Sequence, residues 1–184
     1  MSHPPGRPGK PDGRGSGRLP IMRHWVVASG LVEGDGGLLL VQNRRRNGTL
    51  DWSTPGGVIE VDDGESLVGG LTREVAEETG IVVHEWAGPV YEVEAVAEGL
   101  GWALRAEIYR AVRWQGELVV ADPDGIVIDA RFVPLDECGP YLEGGHPWVR
   151  EPLGAWLAEQ WEKGRRYRYR LDGETLGGIT VIKV

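Results

Sequence analysis

The sequence contains a single cysteine, Cys138, among 184 residues. One thiol cannot form a disulfide within the chain, which is typical of proteins from the reducing cytoplasm. No run of 18 or more apolar residues is present, so we expect no transmembrane helix. The first residues also lack the apolar core of a signal peptide. These absences together predict a cytoplasmic protein without a membrane partner.

Positive charge is scarce outside the N-terminus. The sequence has 20 Lys and Arg against 28 Asp and Glu, a net charge of -8. Residues 1–20 hold four basic residues and one acidic residue, so the rest of the chain is strongly acidic. Binding along a nucleic-acid backbone needs basic surface, and we therefore expect no nucleic-acid partner. A small-molecule nucleotide fits better, because bound divalent cations would reverse the local charge.

Three segments differ in composition. Residues 1–20 contain five glycines and five prolines without hydrophobic periodicity, which predicts a disordered basic tail. Residues 21–164 carry strand and helix patterns and are long enough for one domain with a sizeable core. Residues 165–184 alternate arginine with tyrosine before a second apolar stretch. This last pattern predicts a C-terminal β-hairpin at a sheet edge, or a contact in a homodimer.

Hydrophobic periodicity predicts alternating strands and helices. Besides the terminal hairpin, the predicted strands cover residues 24–32, 38–42, 81–84, 90–97, 102–113 and 130–133. The predicted helices cover residues 66–79 and 149–163. Ser66 and Gly80 suit the two ends of the first helix, and Pro152 and Gly164 suit the ends of the second. This layout favours an α/β fold, an α/β/α sandwich in which a mixed central sheet lies between helices.

The strongest chemical pattern lies between Gly57 and Gly80. On a helix, Glu74, Glu77 and Glu78 fall within about 100° of one another. Like charges crowded on one helical face repel by a few tenths of a kcal/mol per pair. Three glutamates kept together on one helical face therefore indicate oxygen ligands for a hard divalent cation. The alternative is an ordinary solvated acidic face.

The same segment resembles the signature of the Nudix hydrolases, G-x5-E-x7-R-E-U-x-E-E-x-G-U, where U is a bulky aliphatic residue. The matching residues are Glu65, Arg73, Glu74, Val75, Glu77, Glu78, Gly80 and Ile81. Residues 52–57, directly upstream, resemble the strand that leads into the family's loop. Seven residues rather than five separate Gly57 from Glu65, so the loop before the helix is longer. Such an insertion leaves the placement of Glu65 open.

The resemblance implies the Nudix fold and hydrolysis of a nucleoside diphosphate linked to another group, with Mg²⁺ or Mn²⁺ as cofactor. Among family members, the MutT-like group that cleaves nucleoside triphosphates is the most similar. Alternative substrates are ADP-ribose or another nucleotide sugar, and a dinucleoside polyphosphate. A non-catalytic nucleotide sensor is a further alternative. An isomerase on the same fold would need a catalytic cysteine, and Cys138 lacks a suitable context.

The resemblance and the chemistry of hard cations assign the candidate site residues. The expected metal ligands are Glu74, Glu77, Glu78, Glu65 and the carbonyl oxygen of Gly56. Glu74 and Glu78 are the principal ligands, and Glu77 is either a ligand or the general base. Arg73 is expected to hold Glu65 or Glu74 in the ligating position.

Three adjacent arginines, Arg44, Arg45 and Arg46, precede this segment. A guanidinium pairs with phosphate through two hydrogen bonds, so these residues are expected to bind substrate phosphates. The alternative is a solvated loop.

Two roles have several candidates each in the sequence. A general base from outside the helix is one role, and its candidates are Glu94, Glu98, Asp122 and Asp124. Stacking on a nucleobase is the other, because the sequence has eight tryptophans. The stacking candidates are Trp25, Trp86, Trp102, Trp114 and Trp148, although tryptophans are more often core residues. The sequence does not choose among them.

Overall fold

The computed structural model describes residues 22–61, 64–173 and 178–184. The predicted disordered tail, residues 1–20, lies outside the described residues. The strands are β1 (Arg23–Leu31), β2 (Glu33–Gly34), β3 (Gly37–Arg44), β4 (Leu50–Ser53), β5 (Gly56–Val58), β6 (Val82–Ala97), β7 (Trp102–Gln115), β8 (Val127–Val133), β9 (Arg165–Asp172) and β10 (Thr180–Lys183). The helices are α1 (Leu67–Thr79), α2 (Cys138–Leu142) and α3 (Pro147–Glu159). No helix in the described part is long and apolar enough to span a membrane.

The strands form two sheets. The larger has the order β10-β9-β6-β7-β1-β5 and is mixed, because β1 runs parallel to β7 and β6 runs parallel to β9. In the smaller, antiparallel sheet, β2, β4 and β8 all pair with β3. The predicted α/β class with a mixed central sheet is confirmed. The division into two sheets was not predicted.

The predicted strands 81–84 and 90–97 form one continuous strand, β6. It pairs with β7 along most of its length, and the ladder skips from Ala87 to Tyr91. Gly88 and Pro89 lie in this irregularity. Proline has no N–H to donate to a ladder. The interval between the two predicted strands is therefore a local break in pairing within one strand.

Helix α1 begins and ends as predicted. The Ser66 hydroxyl accepts a hydrogen bond from the Gly69 N–H at 3.1 Å and so caps the first turn. At the other end Gly80 adopts φ 73°, and its N–H donates to the Ala76 carbonyl. Leu71 and Val75 are buried beneath the helix. The periodicity of the sequence therefore identifies the stripe by which α1 packs on the core.

The second long helix, α3, begins and ends earlier than predicted. Pro147 takes the first helical position, where its missing N–H costs nothing. The helix stops at Glu159 because Gln160 adopts φ 50°, before Gly164 is reached. Pro152 consequently lies inside the helix and not in its first turn. The buried side of α3 includes Trp156.

Strand β3 is buried on both faces. Leu38 and Leu40 belong to a core cluster that also contains residues of β6 and α3. Leu39 and Val41 belong to a second cluster beneath α1. An uninterrupted apolar run is typical of a strand that is covered on both sides. The alternation of these side chains between two cores supports the layered architecture.

The C-terminal segment contributes two paired strands to the edge of the larger sheet. Strand β10 pairs antiparallel with β9, and β9 adds to the edge of β6. The buried side chains of β9 are Tyr167, Tyr169 and Leu171. The exposed arginines pair with acidic residues: Arg166 with Glu92, Arg168 with Glu94, and Arg170 with Asp172. The alternation of Arg and Tyr thus reflects the two faces of a half-buried strand.

Cys138 is fully buried at the start of α2. Its thiol donates to the carbonyl oxygens of Val133, at 3.6 Å, and Pro134, at 3.4 Å. Burial, with the nearby charges of Asp136 and Glu137, raises its pKa to about 11. We expect a thiol reagent such as DTNB to label the native protein far more slowly than the urea-unfolded protein, because it needs an accessible thiolate. Equal labelling rates would contradict this placement.

Candidate active site

Two glycines bring β5 against helix α1. In the ladder between β5 and β1, Gly56 lies opposite Ser29, and Gly57 lies opposite Ala28. Gly56 adopts φ 136°, and a Cβ added there would lie 2.2 Å from the Ala28 carbonyl oxygen. A Cβ added at Gly57 would lie 2.9 Å from Oε2 of Glu74. The missing side chains therefore let the strand pass directly beneath the carboxylates of α1.

Glu78 is the most buried carboxylate of the predicted site, with 8% of its surface exposed. Its Oε2 accepts a hydrogen bond from the Gly56 N–H at 2.9 Å. Burial raises the pKa of Glu78 to about 8, although that hydrogen bond opposes the shift. The negative charges of Glu74 and Asp122 raise it further. The ionised form of Glu78 therefore lacks compensating positive charge.

Arg73 binds three carboxylates at once. Its guanidinium donates to Glu65 at 3.0 and 3.1 Å, to Glu74 at 2.7 Å and to Glu77 at 3.0 Å. Hydrogen bonding to Arg73 lowers the pKa of Glu65. The pKa of Glu74 is nevertheless raised, because half-burial outweighs the effect of Arg73. Arg73 thus contacts both of the partners that the sequence offered as alternatives.

The carboxylates of α1 are oriented apart by these contacts. Within residues 22–61, 64–173 and 178–184, no three His, Cys, Asp or Glu side chains converge closely enough to hold a metal ion. Oxygens of Glu74 and Glu77 are drawn to Arg73, while Glu78 is turned toward Gly56. The donor set itself fits a hard divalent cation, because such ions prefer oxygen ligands. Burial raises the pKa of both Glu74 and Glu78, so their ionised forms lack compensating positive charge. A bound cation would supply the missing positive charge.

The chain between β7 and β8 carries two aspartates whose charges act on these carboxylates. The charge of Asp124 contributes to the raised pKa of Glu74, and that of Asp122 to the raised pKa of Glu78. The carboxylate of Asp122 accepts hydrogen bonds from the N–H groups of Asp124, Ile126 and Val127. Of the base candidates outside the helix, the structure brings these two aspartates toward α1.

The other two base candidates lie elsewhere. Glu94 forms an ion pair with Arg168 at 3.1 Å, on the part of β6 that pairs with β9. Glu98 begins the short 3-10 helix, Glu98–Leu100, that follows β6. Neither carboxylate is among the charges that raise the pKa of Glu74 or Glu78.

The three predicted phosphate-binding arginines differ in their surroundings. Arg45 forms a two-point pair with Asp51, in which Nε lies 2.6 Å from Oδ2 and Nη2 lies 2.7 Å from Oδ1. Arg44, Arg45 and Arg46 are all exposed, and Arg45 is the one that also lines a neighbouring cavity. Since two of its nitrogens are engaged, Arg45 is the least available of the three for phosphate.

A cavity of about 390 Å³ adjoins Gly56 and Gly57. Its apolar wall comes from strands of the larger sheet and from α3, and includes Val93, Leu104, Ile108 and Leu153. Its polar wall includes Asn43, Arg45 and Ser53. The volume and the mixed lining are typical of small-molecule sites.

Two aromatic residues at the start of α3 also line the cavity. The rings of His146 and Trp148 stack with centroids 4.3 Å apart and planes 6° apart. Of the five predicted stacking tryptophans, Trp148 is the one that lines the cavity, and Trp102 packs against its ring. Sequence reasoning missed Asn43 and His146. No local pattern marks either residue, since one ends a strand and the other precedes a helix.

Comparison with known proteins agrees with this architecture. A family model described as the NUDIX domain matches residues 22–157. The Escherichia coli ORF135 protein, solved in solution, is 24% identical with a TM-score of 0.59, covering 76% of this chain and 92% of that chain. A MutT NUDIX hydrolase from Burkholderia pseudomallei is 23% identical with a TM-score of 0.56, covering 72% and 97%. MutT protein from Methanosarcina mazei Go1 is 22% identical with a TM-score of 0.58, covering 76% and 96%. At these identities the structures show a shared fold alone, and no curated protein matches the chain.

Proposed function

The chain belongs to the Nudix family, and we propose that it is a divalent-metal-dependent pyrophosphohydrolase that cleaves a phosphoanhydride bond of a nucleotide. The expected substrate is a nucleoside triphosphate or a related nucleotide. The observation that carries the proposal is the pair of carboxylates above Gly56 and Gly57, in which Glu78 is buried and Glu74 is half-buried. These groups lie beside a cavity large enough for the rest of a nucleotide.

Attack of water on a phosphoanhydride requires neutralised phosphate charge, an oriented water molecule and in-line positioning. Glu74, Glu77, Glu78 and the Gly56 carbonyl would hold Mg²⁺ or Mn²⁺, with Glu65 as a further ligand. When bound, such a cation neutralises phosphate charge and acidifies water. The residues of the chain orient the reacting groups: the glycine strand places the phosphates against α1.

The general base has two candidates in this arrangement. Glu77 is the first, because it lies on the carboxylate face of α1 and is partly exposed beside Arg73. Asp124 is the second, because its charge lies close enough to raise the pKa of Glu74. Asp122 is less suited, since three backbone amides already bind its carboxylate.

Arg44 and Arg46 are the arginines we assign to the substrate phosphates. Arg44 is the last residue of β3 and Arg46 lies in the turn between β3 and β4, and both side chains are exposed. Arg45 would contribute mainly through its pair with Asp51 at the cavity wall.

Arg73 provides a test of how the carboxylates are positioned. A lysine ammonium cannot reproduce the fork of donors that contacts three carboxylates. We expect Arg73→Lys to lower kcat/KM by about 10- to 100-fold with little change in thermal stability. The matched control is Arg113→Lys, because Arg113 is exposed and pairs with Glu85 at 3.9 Å. An unchanged rate for Arg73→Lys would show that the guanidinium has no positioning role.

A substrate panel with product identification tests the proposed function. Purified protein is incubated with Mg²⁺ and nucleoside triphosphates, ADP-ribose, nucleotide sugars or dinucleoside polyphosphates. We expect turnover of at least one class, and loss of turnover in Glu74→Gln and Glu77→Gln. Tight binding of a nucleotide without any hydrolysis across the panel would instead identify a nucleotide sensor.

A further inference from the structure

The orientation of the Asn43 side chain is set by its neighbours. Asn43 is 6% exposed, and its Nδ2 lies 3.1 Å from Asp51 Oδ1 and 3.0 Å from Ser53 Oγ. Both oxygens of the Asp51 carboxylate already accept hydrogen bonds from Arg45, and a carboxylate oxygen has no hydrogen to donate. The atom of Asn43 that faces it must therefore be the amide nitrogen, since a carbonyl oxygen there would be repelled.

This orientation directs the carbonyl oxygen of Asn43 away from the pair. Among the described residues, no protein group donates a hydrogen bond to that oxygen. Every fully buried polar side-chain atom of these residues has a hydrogen-bond partner. The oxygen therefore retains exposed surface, and the space that Asn43 borders is the cavity. Asn43 thus presents a fixed hydrogen-bond acceptor to whatever occupies the cavity.

The remainder of the cavity suits a planar aromatic ring. The stacked rings of His146 and Trp148 give it an aromatic wall, and aliphatic residues such as Leu104 give it an apolar one. Nucleobases stack on aromatic surfaces whatever their identity, so stacking alone does not select among them. Selection requires hydrogen-bonding groups on the polar wall, where Asn43 and Arg45 lie together.

We propose that Asn43 determines the specificity of this site by accepting an N–H group from the substrate's nucleobase, with Asp51 and Arg45 holding its carboxamide in position. Asn43 selects for a nucleotide whose base keeps an N–H donor beside an acceptor, the acceptor facing Arg45. Each of the four standard bases carries such a pair, so the selection is against bases in which the N–H is replaced. This inference rests on the proposed function for its substrate, but it concerns binding of the base and not cleavage.

Calorimetric binding of nucleoside 5′-monophosphates tests this assignment without hydrolysis, because these compounds contain no phosphoanhydride. Wild-type protein is titrated with AMP, CMP, GMP and UMP, with their base N-methylated analogues, and with ribose 5-phosphate as a ligand without a base. We expect at least one nucleotide to bind more tightly than ribose 5-phosphate. Its analogue lacking the N–H group should bind at least tenfold more weakly.

Asn43→Ala should remove that discrimination, so that the nucleotide and its N-methylated analogue bind with equal, weakened affinity. Asn47→Ala is the matched control, because Asn47 is exposed on the following loop and contacts Thr49. Thermal denaturation checks that each variant is folded, and the comparison of ligands on wild-type protein stands even if Asn43→Ala is not.

The outcomes separate the two proposals. Equal binding of a nucleotide and its N-methylated analogue by wild-type protein overturns the role of Asn43, as does a folded Asn43→Ala that still discriminates. Binding no tighter than ribose 5-phosphate also overturns it. If the discrimination is found but no substrate class of the panel is hydrolysed with Mg²⁺, the specificity assignment stands and the proposed hydrolase activity fails.

Discussion

Replacing Glu78 by glutamine is expected to stabilise the metal-free protein at neutral pH and to abolish hydrolysis. The pKa of Glu78 is about 8 in the folded protein, against an ordinary value of 4.5. Between these values the unfolded chain releases the proton and the folded chain retains it, so stability falls as pH rises through this window. At pH 7 the cost is roughly 3 kcal/mol. Glutamine is neutral and keeps an oxygen for the Gly56 N–H, so it avoids this cost.

Urea unfolding in EDTA between pH 4 and pH 9 measures the effect. The stability difference between Glu78→Gln and wild type should be small near pH 4, grow with pH, and level off above about pH 8. Mg²⁺ should then stabilise the wild type and leave the variant nearly unchanged. Glu143→Gln, at an exposed position, is the matched control. A difference that does not depend on pH would refute the assigned burial of the charge.

The loss of activity has a separate reason. We expect kcat/KM of Glu78→Gln to fall by about a thousandfold or more, because a neutral amide is a poor ligand for a hard divalent cation. A variant that is both more stable and inactive would show that the charge of Glu78 lowers the stability of the fold but is required for hydrolysis. Retained activity would remove Glu78 from the set of proposed ligands.

The parts of the site that lie on α1 could be predicted from the sequence because their signals are local. Ser66 and Gly80 mark the ends of the helix, and its periodicity places the carboxylates next to the buried stripe, with Glu78 itself buried. The longer loop before Glu65 left that residue uncertain. Two residues of this loop, 62 and 63, lie outside the described residues, and Glu65 still reaches Arg73 at 3.0 Å.

The cavity could not be predicted, because its walls come from distant parts of the chain. Asn43 is at the end of β3, its partner Asp51 is in β4, and His146 precedes α3. Each is an ordinary polar residue in its own segment, and only the pairing of β3 with β4 brings the first two together. The same pairing explains why Arg45 faces Asp51. Three adjacent arginines look equivalent in the sequence, but strand geometry gives them different neighbours.

Replacing Gly56 by alanine is expected to destabilise the fold severely. Its φ of 136° is strained for any residue with a side chain, and the added Cβ would lie 2.2 Å from the Ala28 carbonyl oxygen. Ala28 is fully buried in β1, so this backbone cannot move aside. Strain and overpacking together should cost about 3 kcal/mol or more. Urea unfolding measures the loss, and a midpoint equal to that of wild type would contradict the close approach of these strands.

Gly57→Ala is the informative partner of that variant. The three atoms nearest to a Cβ at Gly57 all belong to the side chain of Glu74, the closest at 2.9 Å, and this flexible side chain can turn away. We therefore expect stability close to that of wild type but hydrolysis reduced by about tenfold or more, since Glu74 must leave its position near Arg73. If Gly57→Ala kept full activity, the position of Glu74 over the glycine strand would not matter for catalysis. If Gly56→Ala mainly loses stability and Gly57→Ala mainly loses hydrolysis, Gly56 serves strand packing and Gly57 serves the placement of a catalytic carboxylate.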